Sequence, residues 1–225
     1  MKIKTIEQLA RDMGADIFGT SDIKDHVPER FSRTPYALTI GVRLSDFVLD
    51  EVENGPTKLY FHHYRTANAY LDRISFACAA KLQSYGFNAL AIPASQTTNE
   101  QAIAGDFAHK TAANLAGLGF IGKSALFVSH QYGPRVRLAT VLTNLPLPTG
   151  RIQKSTCGSC TACVHACPCG AITGHSFVAG CSRESLIDAA LCSHYMKEKF
   201  AMVGRGAVCG ICMSVCPYGK KHTNQ

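Results

Sequence analysis

The chain has 225 residues with a formal net charge of +7 and 11 cysteines. No run of about 18 apolar residues could cross a membrane, and no long Lys/Arg run supports binding to nucleic acid. The N-terminus, Met1 to Lys4, lacks the apolar core of a signal peptide. A cytoplasmic location is therefore expected, which excludes a secreted disulfide scaffold because cytosolic thiols are kept reduced.

Helix and strand signals alternate along the first 150 residues and predict a mixed α/β domain. Helices are predicted at about 3–13, 57–85 and 109–116, and strands at about 15–19, 35–42, 88–92, 125–129 and 136–143. The Pro- and Gly-bearing segment Leu145 to Gly150 is typical of a linker. The sequence therefore predicts two domains, 1–150 and 151–225.

The segment Gly117 to Ser124 reads GLGFIGKS and satisfies both the phosphate-loop and the dinucleotide glycine patterns. Each pattern requires a strand before it and a helix after it. Here a helix is predicted before the segment and a strand after it, so ATP or NAD binding is not expected. The glycines instead indicate a turn whose backbone closely approaches a packed neighbour or a large cofactor.

A cysteine phrase occurs twice in the last third of the chain. The first copy is Cys157-x-x-Cys160-x-x-Cys163-x-x-x-Cys167-Pro, and the second is Cys209-x-x-Cys212-x-x-x-Cys216-Pro. This spacing is typical of two-cluster ferredoxins, in which the cysteine before the proline ligates the other 4Fe–4S cluster. The phrase therefore predicts two clusters and single-electron transfer.

The second copy lacks its first cysteine, because Gly206 stands in that place. The missing ligand could come from Cys169, Cys181 or Cys192, and the last two bracket a predicted short helix at 183–191. Cys169 lies so close to Cys167 that both are not expected to face one cluster. Cys192 is preferred because it is nearer the second phrase. The predicted ligands are then Cys157, Cys160, Cys163 and Cys216 for cluster one, and Cys167, Cys192, Cys209 and Cys212 for cluster two.

Disulfides and structural zinc are the alternative explanations of so many cysteines. Disulfide frameworks belong mainly to short secreted chains, and paired zinc knuckles lack the repeated spacing that ends in Cys-Pro. Each 4Fe–4S cluster with four thiolates adds a charge of about −2. Two clusters would therefore reduce the net charge to about +3, and Cys78, Cys169 and Cys181 are expected to be unliganded thiols.

The glycine segment from Ala116 to Lys123, followed by Cys192-Ser-His-Tyr and by Cys209-Gly-Ile-Cys212, resembles epoxyqueuosine reductase. That family is a cobalamin-dependent reductase with two 4Fe–4S clusters and is related to the reductive dehalogenases. The resemblance extends from Gly14 to Lys220 and is strongest from His109 onward. It also supports Cys192 as a ligand of cluster two.

The resemblance implies an α+β fold: a nitroreductase-like α/β domain that holds a corrinoid, followed by a bacterial-ferredoxin-like domain. Electrons would pass from a donor such as flavodoxin or ferredoxin through the clusters to cobalamin. The residues expected to contact the cofactor are Gly117, Gly119, Gly122, Lys123 and Arg135. Family members carry additional C-terminal helical repeats that this sequence lacks, so tRNA binding is not expected.

The family's proposed proton donor is an Asp whose matching position here falls near Ile103. Asp106 and His109 could substitute for it, since residues three apart share one face of a helix. The alternatives are a helix N-cap for Asp106 and a structural role for His109. Three functions remain open: a corrinoid-dependent reductase of a small molecule or modified nucleoside, an electron-transfer or corrinoid-activating protein, and a redox sensor.

Overall fold

The computed structural model describes residues 2–204 and 208–220. The helices are α1 (Lys2–Asp12), α2 (Asp46–Asp50), α3 (Lys58–Ser84), α4 (His109–Leu115), α5 (Ala162–Ala166), α6 (Ala189–Lys199) and α7 (Ile211–Ser214). The strands are β1 (Ile17–Asp22), β2 (Tyr36–Arg43), β3 (Ala89–Ile92), β4 (Gly119–Ile121), β5 (Phe127–Ser129) and β6 (Val136–Thr143). Short 3₁₀ helices cover Glu29–Phe31 and Arg183–Ser185. The predicted α+β class is confirmed, and Gly206 lies outside the described residues.

The chain divides into two compact units whose boundaries differ from the predicted ones. The first, here called the sheet unit, comprises the residues up to Arg43 with Thr66–Leu118 and Arg137–Gln153. The second, here called the cysteine unit, comprises Leu44–Arg65, Gly119–Val136 and the cysteine-rich segment from Lys154. Two segments that the sequence assigned to residues 1–150 thus belong with the cysteines.

Close packing explains why these earlier segments join the cysteine unit. A Cβ on Gly210 would lie 2.8 Å from the Tyr60 ring, and one on Gly133 would lie 2.5 Å from the backbone of Tyr218. Such contacts join residues far apart in sequence. The last crossing between the two units falls between Gln153 and Lys154, three residues after the predicted boundary at 150, and the earlier crossings lie inside residues 1–150.

The sheet unit contains a four-stranded sheet in the order β1-β2-β6-β3. β1 pairs antiparallel with β2, and β3 pairs antiparallel with β6. Apolar side chains of β2, β3, β6 and α4, with one residue after β1 and one before α4, form one core cluster. Its buried members are Ile23, Ala37, Ile92, Phe107, Ala112 and Leu142. This cluster fixes α4 and its first residue, His109, against the sheet.

The cysteine unit consists of short elements. β4 and β5 form an antiparallel hairpin in which Gly119 is opposite Ser129. The glycine segment thus contains a strand that the sequence did not predict, and a second strand follows it instead of a helix. This arrangement lacks the helix N-terminus that a phosphate loop requires. Among the described residues, no helix combines the length and apolar character needed to cross a bilayer.

Candidate iron–sulfur centre

Short helices carry the two cysteine phrases. α5 includes Cys163 and has Cys167 as its C-cap, and α7 includes Cys212. The N–H of Cys160 donates to the carbonyl of Cys157 across 3.0 Å, which forms a turn before α5. Gly210 precedes α7 with a φ of 89°, a left-handed conformation that glycine adopts without strain. The turns and helices together bring cysteines that are distant in sequence to one region.

The four thiols predicted for cluster one lie together. Burial raises the pKa of the Cys163 thiol, and the neighbouring Cys157, Cys216 and Cys160 thiols raise it further. Burial also raises the pKa of Cys216, on which Cys157 and Cys160 act as well. Cys216 belongs to the second phrase, so the structure has the crossed arrangement that a two-cluster ferredoxin requires.

The four thiols predicted for cluster two also lie together. Burial raises the pKa of Cys192 to about 11, with further increases from Cys169, Cys209 and Cys167 and from Asp188. Burial likewise raises the pKa of Cys212, which interacts with Cys209, Cys192 and Cys167. Cys212 interacts in addition with Cys163 of the first group. The two groups of thiols are therefore neighbours.

These groups fit a pair of cubane clusters. A thiol whose pKa is raised by burial and by other thiols forms a stable thiolate when a cation compensates its charge. In the described part of the chain, no three His, Cys, Asp or Glu side chains form a group that could hold a single metal ion. A 4Fe–4S cluster is ligated at four separate irons, so its thiolates need not converge on one point.

Cys192 lies within α6, whereas the sequence predicted a helix at 183–191 that ends before it. The Asp188 side chain caps α6 by accepting a hydrogen bond from the Leu191 N–H across 2.8 Å. The helix therefore starts after Asp188, and an N-cap aspartate is the sequence signal that could have placed it. One turn into this helix, Cys192 faces the second group of thiols.

A fifth thiol belongs to the second group. The sulfurs of Cys167 and Cys169 lie 3.8 Å apart, so the expectation that they cannot face one site is wrong. The reason is a tight turn in which the Gly170 N–H donates to the Cys167 carbonyl. Cys181 instead packs beside an apolar cluster that contains Leu186.

Cys78 belongs to the sheet unit and lies on α3. Its side chain is fully buried, and burial raises the pKa of its thiol to about 12. A thiol of this kind is a small apolar core residue. Cys78 and Cys181 thus have the surroundings of unliganded thiols.

Lys123, at the end of the glycine segment, contacts the first cluster-binding loop. Its buried ammonium donates to the carbonyls of Gly158 and Cys160 across 2.9 and 3.1 Å. A Cβ on Gly122 would lie 3.5 Å from the Cys157 sulfur. The segment therefore makes the close backbone approach that its glycines predicted. The neighbour that it approaches is the loop carrying the first cysteines.

The other residues predicted to contact a corrinoid also have protein partners. Gly117, in the sheet unit, has a φ of 72° and packs against the backbone of Arg151. A Cβ on Gly119 would overlap the Val128 carbonyl. Arg135 is fully buried, and its guanidinium binds two carboxylates of α2 across 3.0 and 2.6 Å. These contacts do not fit Lys123 and Arg135 as direct corrinoid ligands, and the corrinoid role of this set stays a prediction.

Asp106 and His109 lie in the sheet unit but do not share a helix face, because α4 begins only at His109. The N-cap of α4 is Ala108, so the alternative role of Asp106 as a cap is also wrong. Asp106 pairs with Arg30. Hydrogen bonds from the side chains of Thr98 and Arg30 lower the pKa of its carboxyl. An ionised carboxylate is a poor proton donor.

Both ring nitrogens of His109 have partners in the sheet unit. Nδ1 lies 2.8 Å from the Thr140 hydroxyl, and Nε2 lies 2.9 Å from the Pro93 carbonyl. Desolvation by burial lowers the pKa of this histidine to about 4. A neutral ring with two partners has the geometry of a structural histidine. A catalytic role for Asp106 and His109 stays a prediction.

The class of the cysteine-rich segment is given by comparison with known protein families. Residues 156–219 match the family described as 4Fe-4S double cluster binding domain. The match spans both phrases, and the thiol groups described above supply ligands for two clusters. The predicted double cluster domain is confirmed.

The particular relatives are epoxyqueuosine reductases, as the sequence motifs predicted. The enzyme of Listeria monocytogenes is 31% identical over 127 residues, which are 52% of this chain and 31% of that protein. The enzyme of Lactococcus garvieae is 36% identical over 116 residues, or 47% of this chain and 30% of that protein. The matched region thus spans about a third of these relatives' length.

Solved structures with the same fold come from two related groups. A reductive dehalogenase, reported with a mechanism for B12-dependent dehalogenation, superposes with a TM-score of 0.77 at 20% identity, over 98% of this chain and 32% of that chain. Epoxyqueuosine reductase from Streptococcus thermophilus superposes with a TM-score of 0.61 at 18% identity, over 98% of this chain and 67% of that chain. At these identities the likeness establishes the fold.

Proposed function

We propose that this protein is an iron–sulfur oxidoreductase that relays single electrons through two 4Fe–4S clusters. The observation that carries the proposal is the pairing of two groups of thiols, one of four and one of five cysteines, which adjoin through Cys163 and Cys212. Adjacent cubanes exchange electrons one at a time, and their potentials depend on charge, hydrogen bonds to sulfur and solvent exposure. The chain's own contribution is to hold both ligand sets on short helices and to bury them.

The acceptor that we propose is a bound cobalamin, which reduces a small molecule or a modified nucleoside. Two similarities support this step: the fold of a B12-dependent dehalogenase and the sequence likeness to epoxyqueuosine reductases. A corrinoid, when bound, supplies a strongly reducing centre, and the protein supplies its position and its shielding from water. A flavodoxin or ferredoxin is the proposed electron donor.

A second candidate is an electron-transfer or corrinoid-activating protein without a substrate of its own. It is favoured because the side chains predicted to contact a corrinoid or to donate a proton already bind other groups of the protein. Lys123 and Arg135 bind protein groups, Asp106 pairs with Arg30, and His109 has a partner at each ring nitrogen. On this proposal the clusters reduce a cofactor that a partner protein holds.

Anaerobic purification with iron and sulfide assays, followed by optical titration with cob(II)alamin, tests both candidates. The first predicts about eight irons per chain and a saturable change in the corrinoid spectrum. About eight irons with no spectral change would favour the second candidate. About four irons or fewer in fully reconstituted protein would contradict the two-cluster relay itself. The matched control is Cys78→Ala, which removes a thiol that belongs to neither group and should leave iron content and titration unchanged.

A further inference from the structure

The second thiol group contains five cysteines, whereas a 4Fe–4S cluster takes four. The members are Cys167, Cys169, Cys192, Cys209 and Cys212. Cys169 is the additional one, and it stands at the position that Tyr218 occupies in the second phrase. Its sulfur lies 3.8 Å from that of Cys167, a ligand predicted for cluster two. Cys169 is therefore inside the group rather than beside it.

The backbone around Cys169 has the form found at two predicted ligands. The Ala171 N–H donates to the Cys169 sulfur. In the same way the Ile211 N–H donates to Cys209, and the Tyr218 N–H donates to Cys216. At each of these cysteines a donor lies two residues further along the chain, and Cys216 accepts from the Gly219 N–H as well. Such N–H bonds stabilise a thiolate and are among the groups that set the properties of a cluster.

The distance between neighbouring sulfurs indicates which ligand Cys169 could replace. Its sulfur lies 3.8 Å from that of Cys167, and the turn closed by Gly170 holds the two side chains on the same side. An iron bound to one of these sulfurs is therefore within a small side-chain rotation of the other. Cys209 precedes α7 and Cys212 lies within it, and no other cysteine stands two residues from either of them.

We propose that Cys169 is a reserve thiolate ligand of cluster two that can replace Cys167 on the same iron. In the replacement the bond from iron to the Cys167 sulfur breaks and a bond from iron to the Cys169 sulfur forms. Cys169 loses its proton as it binds, and Cys167 takes up a proton as it leaves. No electron is transferred, and the charge of the cluster with its four thiolates is unchanged. The proposal rests on the second cluster alone and is independent of any corrinoid.

The test compares iron and sulfide contents of alanine variants purified and reconstituted without oxygen, because alanine cannot ligate iron. Cys167→Ala and Cys169→Ala should each retain about eight irons per chain. The double variant Cys167→Ala/Cys169→Ala should lose one cluster and retain about four. Cys209→Ala is the matched control, since it removes a ligand without a reserve and should also retain about four.

The electron paramagnetic resonance of the reduced clusters gives a second readout. Cys167→Ala should keep the integrated signal of cluster two but shift its g values, because the new thiolate has a different hydrogen bond. Cys169→Ala should give the spectrum of the unaltered protein. A content of about four irons in Cys167→Ala would overturn the proposal, as would about eight in the double variant.

Failure to fold is also interpretable in this design. If Cys209→Ala is soluble with about four irons, loss of cluster two does not itself prevent folding. An insoluble Cys167→Ala would then contradict a reserve ligand, because the cluster should have been rescued. Corrinoid titration of the same preparations reports separately on the proposed function, which can fail while the reserve ligand is confirmed.

Discussion

Lys123 places a buried positive charge against the loop that carries the first cluster ligands, where its ammonium binds the carbonyls of Gly158 and Cys160. Replacement by Met keeps the side-chain volume but leaves both carbonyls without this donor. The loss should cost about 2 kcal/mol in the free energy of unfolding. A positive charge stabilises the more negative, reduced cluster, so its removal should also lower the midpoint potential of cluster one.

Redox titration followed by electron paramagnetic resonance measures that potential. A tenfold change in the one-electron equilibrium corresponds to about 59 mV, and we expect a change of this order. Lys154→Met is the matched control, because Lys154 is exposed and should leave the potential unchanged. An unaltered potential in Lys123→Met would show that the contact is purely structural.

The lowered pKa of His109 predicts how the free energy of unfolding depends on pH. Its pKa in the folded protein is about 4, below the ordinary value of about 6.5 for an unfolded chain. The unfolded state therefore binds more protons between these two values, and the contribution of His109 to stability is complete above about pH 6.5 and declines as the pH falls towards 4.

Urea unfolding at pH 7 and at pH 5 tests this dependence. The free energy of unfolding should fall more between the two pH values in the unaltered protein than in His109→Gln, which cannot take up a proton. An equal decrease in both proteins would contradict the neutral, buried state of this ring.

At the scale of elements, one arginine binds both ends of the five-residue helix α2. Arg135 is fully buried and binds Asp46 and Asp50 at the two ends of α2. Arg135→Met should destabilise the protein by about 2 kcal/mol, less than for a fully buried pair because Asp50 is half exposed. Thermal or urea unfolding measures the loss. Arg33→Gln, at an exposed position, is the control and should change stability by less than about 0.5 kcal/mol.

Helices and strands whose apolar residues recur at a clear spacing, or whose ends carry a clear sequence signal, were predictable from the sequence. The uninterrupted stretch before Gly86 predicted α3 within one residue at each end, and β6 was predicted with its bounds. β4 was missed because its three residues lie inside a glycine pattern that masks a strand. The extent of α6 was missed because the Asp188 cap was not recognised. Short elements depend on tertiary contacts, and the local spacing of apolar residues does not reveal those contacts.

The candidate site was predictable in part for a related physical reason. Cysteine spacing specifies cluster ligands because the chain must wrap closely around one cube, so the spacing was enough to propose seven of the eight ligands. Cys192 was chosen from three candidates by its nearness to the second phrase, with support from the family resemblance. The buried partners of Lys123, Arg135 and His109 come from distant segments, so no local pattern indicated them. The five-thiol composition of the second group depends on one turn at Gly170.

For the whole molecule, the two units should respond differently to removal of iron. Buried strands and an apolar cluster support the sheet unit, whereas the cysteine unit combines short helices with mostly half-buried cysteines. Metal binding in such a segment contributes directly to its folding. We expect that chelation of iron under anaerobic conditions increases amide hydrogen exchange throughout α5, α6 and α7 and leaves β1, β2, β3 and β6 protected.

Hydrogen–deuterium exchange with mass spectrometry on the intact chain provides this comparison. Peptides from β2 and from α6 serve as internal references for the two units in the same sample. Uniform loss of protection across both units would contradict a separate dependence of the cysteine unit on its clusters.

Cys78 has a consequence for oxidative damage. Air oxidation proceeds through accessible thiolates, from sulfenic to sulfinic and sulfonic acids. Cys78 is fully buried with a thiol pKa of about 12, so almost no thiolate is present there at neutral pH. After exposure to air, Cys78 should remain reduced while cysteines released from the clusters are oxidised, and its peptide therefore provides a built-in standard for quantifying cluster loss.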